Sequence, residues 1–298
     1  MRITQKVLNN SVMLNLNHIN NDRQKYYNQL STQKRINNPS DDPAGTAKVI
    51  QLNQLLSQYA NYQKNIDDAK GFLTATEASL NAVNENIQQS ITIGLQGASD
   101  TSGEDARSIL ADQVDYIIER VMAESNRQYG TKYIFGGTAI DEQPFEMNDD
   151  GSISMTNTSA INGKHVREVM KGDTVQINFS GQDVFMGENG TFESLIELRD
   201  ALRANDADSI QAATEKLKTV NNNITRFTSV AGLRYEHVTN MEQTLANFNL
   251  QMEALRSSIE DADIAEASIK YEESNTIYQA NLQFSSSILE MSLLDYLA

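Results

Sequence analysis

The chain has 298 residues and a formal net charge of −16, with no cysteine, no tryptophan and only three prolines. Without cysteine there is no disulfide, thiolate metal site or cysteine nucleophile. An acidic surface repels phosphate backbones, which argues against nucleic acid as a partner. No apolar run is long enough for a signal peptide or a bilayer span, so membrane insertion is not expected. Few prolines and 15 glycines allow long uninterrupted helices. The charge is unevenly placed. Residues 1–40 carry six basic groups against Asp22, and residues 260–298 carry eight acidic groups against Lys270. Opposite charge favours a meeting of the two ends, although two separately solvated faces would give the same counts.

The first helix is predicted over residues 4–36, with Leu8, Val12, Leu16, Ile19, Tyr26 and Leu30 on one stripe. Its other faces are rich in Asn and Gln, so it needs a partner helix for stability. Pro39-Ser40-Asp41-Asp42-Pro43 stops it and starts the next. Pro39 disfavours helix at the residue before it, Asp42 suits an N-cap, and Pro43 suits the first helical position. Capping explains this acidic pair better than metal binding, because two carboxylates alone are poor ligands for a hard ion.

The second helix is predicted from Pro43 to about Ile93, ended by Gly94 and Gly97. It has a heptad seam of Leu52, Leu55, Tyr59, Tyr62, Ile66, Ala69, Leu73, Thr76, Leu80, Val83 and Ile87. A third carries Leu110, Val114, Ile117 and Val121, behind a possible capping pair of Thr101 and Glu104. The period then changes. From Asp141 to Gly190 the signals are short strands and turns. Asp149-Asp150-Gly151 marks a hairpin, and Val175, Ile177 and Phe179 alternate onto one face. An insertion of this size cannot hold a large core alone.

Helix resumes near Phe192. A seam then runs from Ile210 to Ile259 in three-four steps, and Arg234 is its one non-apolar member. Glu260-Asp261-Ala262-Asp263 breaks the helix. The final helix carries Ile264, Ala267, Tyr271, Ile277, Ala280, Phe284, Ile288, Met291 and Leu294 as its expected stripe, widened by Leu282, Leu289, Leu293 and Leu297. A helix this apolar requires cover from the first helix, a neighbouring subunit or a chaperone. The expected fold is mainly α: an elongated antiparallel long-helix bundle or coiled coil with a small inserted β domain and paired N- and C-termini. The expected domains are 1–42 with 260–298 (terminal helices), 43–140 with 191–259 (long-helix rod) and 141–190 (β-rich outer domain).

Chemistry is sparse. His18, His165 and His237 are far apart and have no metal-ligand spacing. No P-loop, dinucleotide fingerprint or nucleophile elbow is present. Neither a cofactor, a metal nor a catalytic site is expected.

Particular residues carry a resemblance. Leu30-Ser31-Thr32-Gln33-Lys34-Arg35-Ile36-Asn37, running into Pro39-Ser40-Asp41-Asp42-Pro43-Ala44-Gly45, resembles the N-terminal signature of bacterial flagellins and their hook–filament junction proteins. The Pro-Ser-Asp-Asp-Pro spelling is similar to junction proteins of the FlgL type. Tyr133-Ile134-Phe135-Gly136-Gly137-Thr138 resembles the family's entry to its outer domain. Ala262-Asp263-Ile264-Ala265-Glu266-Ala267 and Ser292-Leu293-Leu294-Asp295-Tyr296-Leu297 resemble its C-terminal signature. The family usually has Gly where Gln33 stands, so continuous helix is expected at Gln33.

The resemblance implies a structural subunit of the bacterial flagellum, not an enzyme. It implies export through the flagellar type III apparatus with a chaperone on the C-terminal helix, then assembly at the hook through the terminal helices. The site residues are then packing residues: Leu8, Val12, Leu16 and Ile19 on the first helix, and Leu282, Phe284, Ile288, Leu289, Leu293, Leu294 and Leu297 on the last. Pro39, Ser40, Asp41, Asp42 and Pro43 form the helix junction. The implied partners are further copies in a ring, the neighbouring hook-associated protein, flagellin and the export chaperone. The implied location is the hook–filament junction outside the cell, after a transient cytoplasmic stage. A flagellin filament subunit and, less well matched, a cytoplasmic coiled-coil binding protein remain the alternatives.

Overall fold

The computed structural model describes residues 5–99, 103–148, 151–156, 160–187 and 190–297, with the side chains of 5, 6, 8, 9 and 288–297 outside that description. The helices are α1 (Gln5–Thr32), α2 (Pro43–Gly97), α3 (Glu104–Ser125), α4 (Thr191–Arg203), α5 (Ala207–Glu260) and α6 (Ile264–Leu297). Between α3 and α4 lie β1 (Gln128–Tyr129), β2 (Lys132–Tyr133), β3 (Phe145–Met147), β4 (Ile153–Met155), β5 (Val166–Met170) and β6 (Asp173–Gln176), then a π-helical turn, Gln182–Met186. The strands pair as three two-stranded antiparallel sheets, β1–β2, β3–β4 and β5–β6. The mainly helical fold with a small β insertion and paired chain ends agrees with expectation. The chain forms two compact units, Met1–Gln58 with Asn247–Ala298, and Tyr59–Ala246.

In the second unit the expected seams are the core. Ile66, Ala69, Leu73, Thr76, Leu80, Val83 and Ile87 of α2 are at most 1% exposed. Ile210, Leu217, Ile224, Val238 and Leu245 of α5 are all fully buried. The two helices run antiparallel here: Lys70 Nζ meets Glu242 at 2.8 Å, while a Cβ at Gly94 would strike Thr214. Helix α2 passes through Gly94 and ends at Gly97, because the bare Cα at Gly94 makes room for the Thr214 hydroxyl.

The β insertion shares this core. Phe135, Phe145 and Phe185 join Phe192 of α4 in a buried cluster with ring centroids 5.0–5.6 Å apart. Val175, Ile177 and Phe179 are buried as their alternation predicted. Arg234, the exception in the α5 seam, lies over the Phe179 ring at 4.4 Å and donates to the Asn178 carbonyl at 3.0 Å. Burial lowers the proton affinity of that guanidinium. Gly137 adopts φ +64°, and a Cβ there would lie 2.2 Å from the Ala160 carbonyl oxygen, so the tight turn requires glycine.

Two features were not anticipated. Helix breaks at residues 204–206, where Asn205 adopts φ 56°. Buried Arg107 spans this break and the end of α2. Its Nε donates to the Gly97 carbonyl at 2.8 Å, Nη2 to that of Ser99 at 3.4 Å, and Nη1 to the Asn205 carbonyl at 3.1 Å and side chain at 2.5 Å. A cation at carbonyls left free by helix ends is favourable. Helix α3 starts behind Gly103 with no side-chain cap; Thr101 lies outside the described residues.

Candidate assembly surface and the helix junction

The first unit brings four helix ends together. Helix α1 stops at Thr32, not Ile36, because Gln33 adopts φ 59°. Continuous helix at Gln33 was the expectation, and the structure corrects it. The left-handed residue reverses the chain so that Lys34 bridges Asp261 in antiparallel fashion. The Ala262 amide donates to the Gln33 carbonyl at 3.0 Å, and the Arg35 amide to that of Glu260 at 2.7 Å. Arg35 also reaches the Ile259 carbonyl at 2.7 Å, and Lys34 pairs with Glu260 at 2.5 Å. The two Arg35 contacts satisfy carbonyls at the end of α5. Gln is strained in this conformation. Gln33→Gly is therefore expected to raise the stability of this unit by about 0.5–1 kcal/mol, read by urea unfolding; a loss of stability would refute the strain.

The acidic pair caps. Asp41 accepts from the amides of Asn37 at 3.0 Å and Asn38 at 2.8 Å. Asp42 accepts from the Gly45 amide at 2.8 Å, with Pro43 at the first position of α2. That backbone bond and the Arg35 guanidinium hold the Asp42 carboxyl below the usual carboxylate range. Pro39 and Ser40 form the exposed turn closed by the Asp41 amide on the Asn38 carbonyl at 3.0 Å. A Cβ at Gly45 would lie 2.5 Å from Asp42 Oδ2 and 2.7 Å from Ile36 Cδ1, so the cap and buried Ile36 close over a bare Cα. On the other side Asp263 starts α6, accepting from the amides of Ala265 and Glu266 at 2.9 and 3.1 Å.

From this junction α1 and α6 run antiparallel. Tyr27 meets Tyr271 with ring centroids 6.2 Å apart, and Arg23 lies 4.4 Å over the Tyr278 ring. Among the described residues, Lys34–Glu260 is the ion pair that joins the two oppositely charged ends. On α1, Val12, Leu16 and Ile19 are half-buried, while Val7, Met13 and Leu14 are exposed. The side chains of Leu8, Ile288, Leu289, Leu293, Leu294 and Leu297 lie outside the described residues.

The face that α6 covers differs from the expected stripe. Ala267 and Ser274 are buried, and Tyr271, Tyr278, Asn281 and Ser285 are half-buried. Ile277 and Phe284, members of the expected stripe, are 43% and 72% exposed, and Leu282 and Ile269 are 45% and 69% exposed. The apolar stripe of α6 is left uncovered within the chain, a surface of the kind that marks association sites.

The chain belongs to the class of mainly helical proteins whose two ends form one helical pair and whose long helices carry small sheets. In particular, it belongs to the bacterial flagellin family. Residues 3–139 match the bacterial flagellin N-terminal helical region and residues 210–297 the C-terminal helical region. Flagellar hook-associated protein 3 of Salmonella typhimurium is 28% identical over 152 residues, 51% of this chain and 48% of that protein. A flagellin of Listeria innocua is 25% identical over 240 residues, 80% of this chain and 78% of that one. The fold is similar to that of a flagellar hook-associated protein from Vibrio parahaemolyticus, with TM-score 0.68 and 21% identity over 74% of this chain and all of that one. The chain spans about half the length of the curated hook-associated relatives it matches.

Proposed function

We propose that this chain is a structural subunit of the bacterial flagellum that joins hook to filament. The uncovered stripe of Ile269, Ile277 and Phe284, with Leu282 half exposed at the flank of the covered face, carries the reading, because a paired terminal helix with this much exposed apolar surface needs further helices. In this reading residues 1–42 and 260–298 pack against neighbouring copies, the long helices support them, and residues 141–190 face outward. Before assembly the α6 stripe and the leucines beyond it engage an export chaperone. After type III export the subunit forms a ring with further copies, between a neighbouring hook-associated protein and flagellin. The junction role rests on the Pro39–Pro43 spelling and the likeness to hook-associated protein 3. A filament subunit is the second reading, favoured by the long match to the Listeria flagellin. A strain lacking the gene separates them, by electron microscopy of the cell surface and assay of flagellin in the medium. Hooks without filaments, with flagellin shed as monomer, are expected. Loss of flagellin antigen would make the chain the filament subunit, and normal filaments would overturn both.

A further inference from the structure

His165 precedes β5 and stands edge-on to Phe72 of α2, with ring centroids 6.1 Å apart at 85°. Its Nε2 lies 2.8 Å from Arg167 Nη1. A guanidinium only donates, so Nε2 accepts and the ring proton rests on Nδ1. Nδ1 is buried and has no hydrogen-bond partner. Arg167 cannot turn aside freely, since its Nε and Nη2 each lie 2.8 Å from Asp68 Oδ2 of α2. Asn65 of α2 adds a bond of 2.8 Å to the Glu168 carbonyl. The β5–β6 hairpin is thus held to α2 by a small polar clamp whose centre accommodates only a neutral imidazole.

We propose that His165 is an acid-sensitive latch: protonating its ring sets two cations in contact and loosens the β5–β6 hairpin from α2. The charges facing the ring are Arg167 on β5, Lys132 on β2 and Asp68 on α2. Burial first, then Arg167 and Lys132, lower its proton affinity below the ordinary value of 6.5, and Asp68 opposes them. The unfolded chain therefore takes up this proton first. The latch contributes fully above the ordinary imidazole value, and its contribution is lost as pH falls below it. His237 of α5 lies elsewhere on the hairpin, with Nε2 3.2 Å from Asp173 Oδ2 of β6.

Amide exchange over residues 166–176 of the full chain, between pH 7.5 and 5.0, tests the latch. After correction for intrinsic exchange, the wild-type hairpin should exchange faster in acid, about tenfold for each pH unit by which the ring's proton affinity is depressed. His165→Gln, which keeps an acceptor for Arg167 and does not titrate, should remove that excess, and His237→Gln should not. The ring itself, followed by NMR, should titrate below 6.5 and move upward in Arg167→Gln. Parallel acid responses of wild type and His165→Gln, or a ring that titrates at or above the ordinary value, would overturn the proposal.

Discussion

Replacing Leu282 and Phe284 together by Asp should abolish filament attachment while leaving the isolated chain as stable as before. Phe284 is 72% and Leu282 45% exposed, and surface substitutions of this kind change stability by about 0.5 kcal/mol or less. Covering a Leu or Phe in an assembly is worth about 1.5–3 kcal/mol each. Losing both weakens association by at least about a hundredfold, before the cost of burying two carboxylates. The check is complementation of the deletion strain beside a thermal melt of the purified variant. Normal filaments would show that the stripe is not an assembly surface. A large drop in melting temperature would show that it is covered within the chain.

Arg107→Met should cost about 3 kcal/mol, because it strips donors from the carbonyls of Gly97, Ser99 and Asn205 at a buried site. The loss should appear in the unfolding of the unit formed by residues 59–246 and leave the other unit's transition in place. Arg107→Lys should recover only part of it, since one ammonium cannot reproduce the planar fork that reaches both helix ends. Urea unfolding with amide exchange around residues 97–107 and 203–210 reads both variants. A change in stability below about 0.5 kcal/mol would mean that the carbonyls find other donors.

These two sites differ in how far the sequence disclosed them. Leu282 and Phe284 were legible as apolar residues needing cover, but the face they occupy was not. The three-four rule set Ile277 and Phe284 on one stripe with Ala267 and Tyr271 and left its cover open, whereas in the structure Ser274 and Tyr278 are the covered residues and Ile277 and Phe284 stay outside. Periodicity finds the most apolar stripe of one helix and is silent on which stripe the partner prefers. Arg107 gave no local signal, since its acceptors lie at Gly97, Ser99 and Asn205, as far as 98 residues away. The left-handed turn at Gln33 was missed because a side chain stands where glycine would have announced it.

The sequence alone determined the long helices, the β insertion, the Asp42–Pro43 cap and the break before Asp263, because each depends on neighbours a few residues away. The flagellin resemblance was likewise readable in linear motifs. Only the tertiary structure decided which faces are spent inside the chain and which remain for association. That choice depends on the pairing of α1 with α6, which covers Ala267, Tyr271, Ser274 and Tyr278 and leaves Ile277 and Phe284 outside. The junction held by Gln33, Arg35 and Glu260, and the clamp around His165, were decided the same way. Their hydrogen bonds join groups that only the folded chain brings within reach.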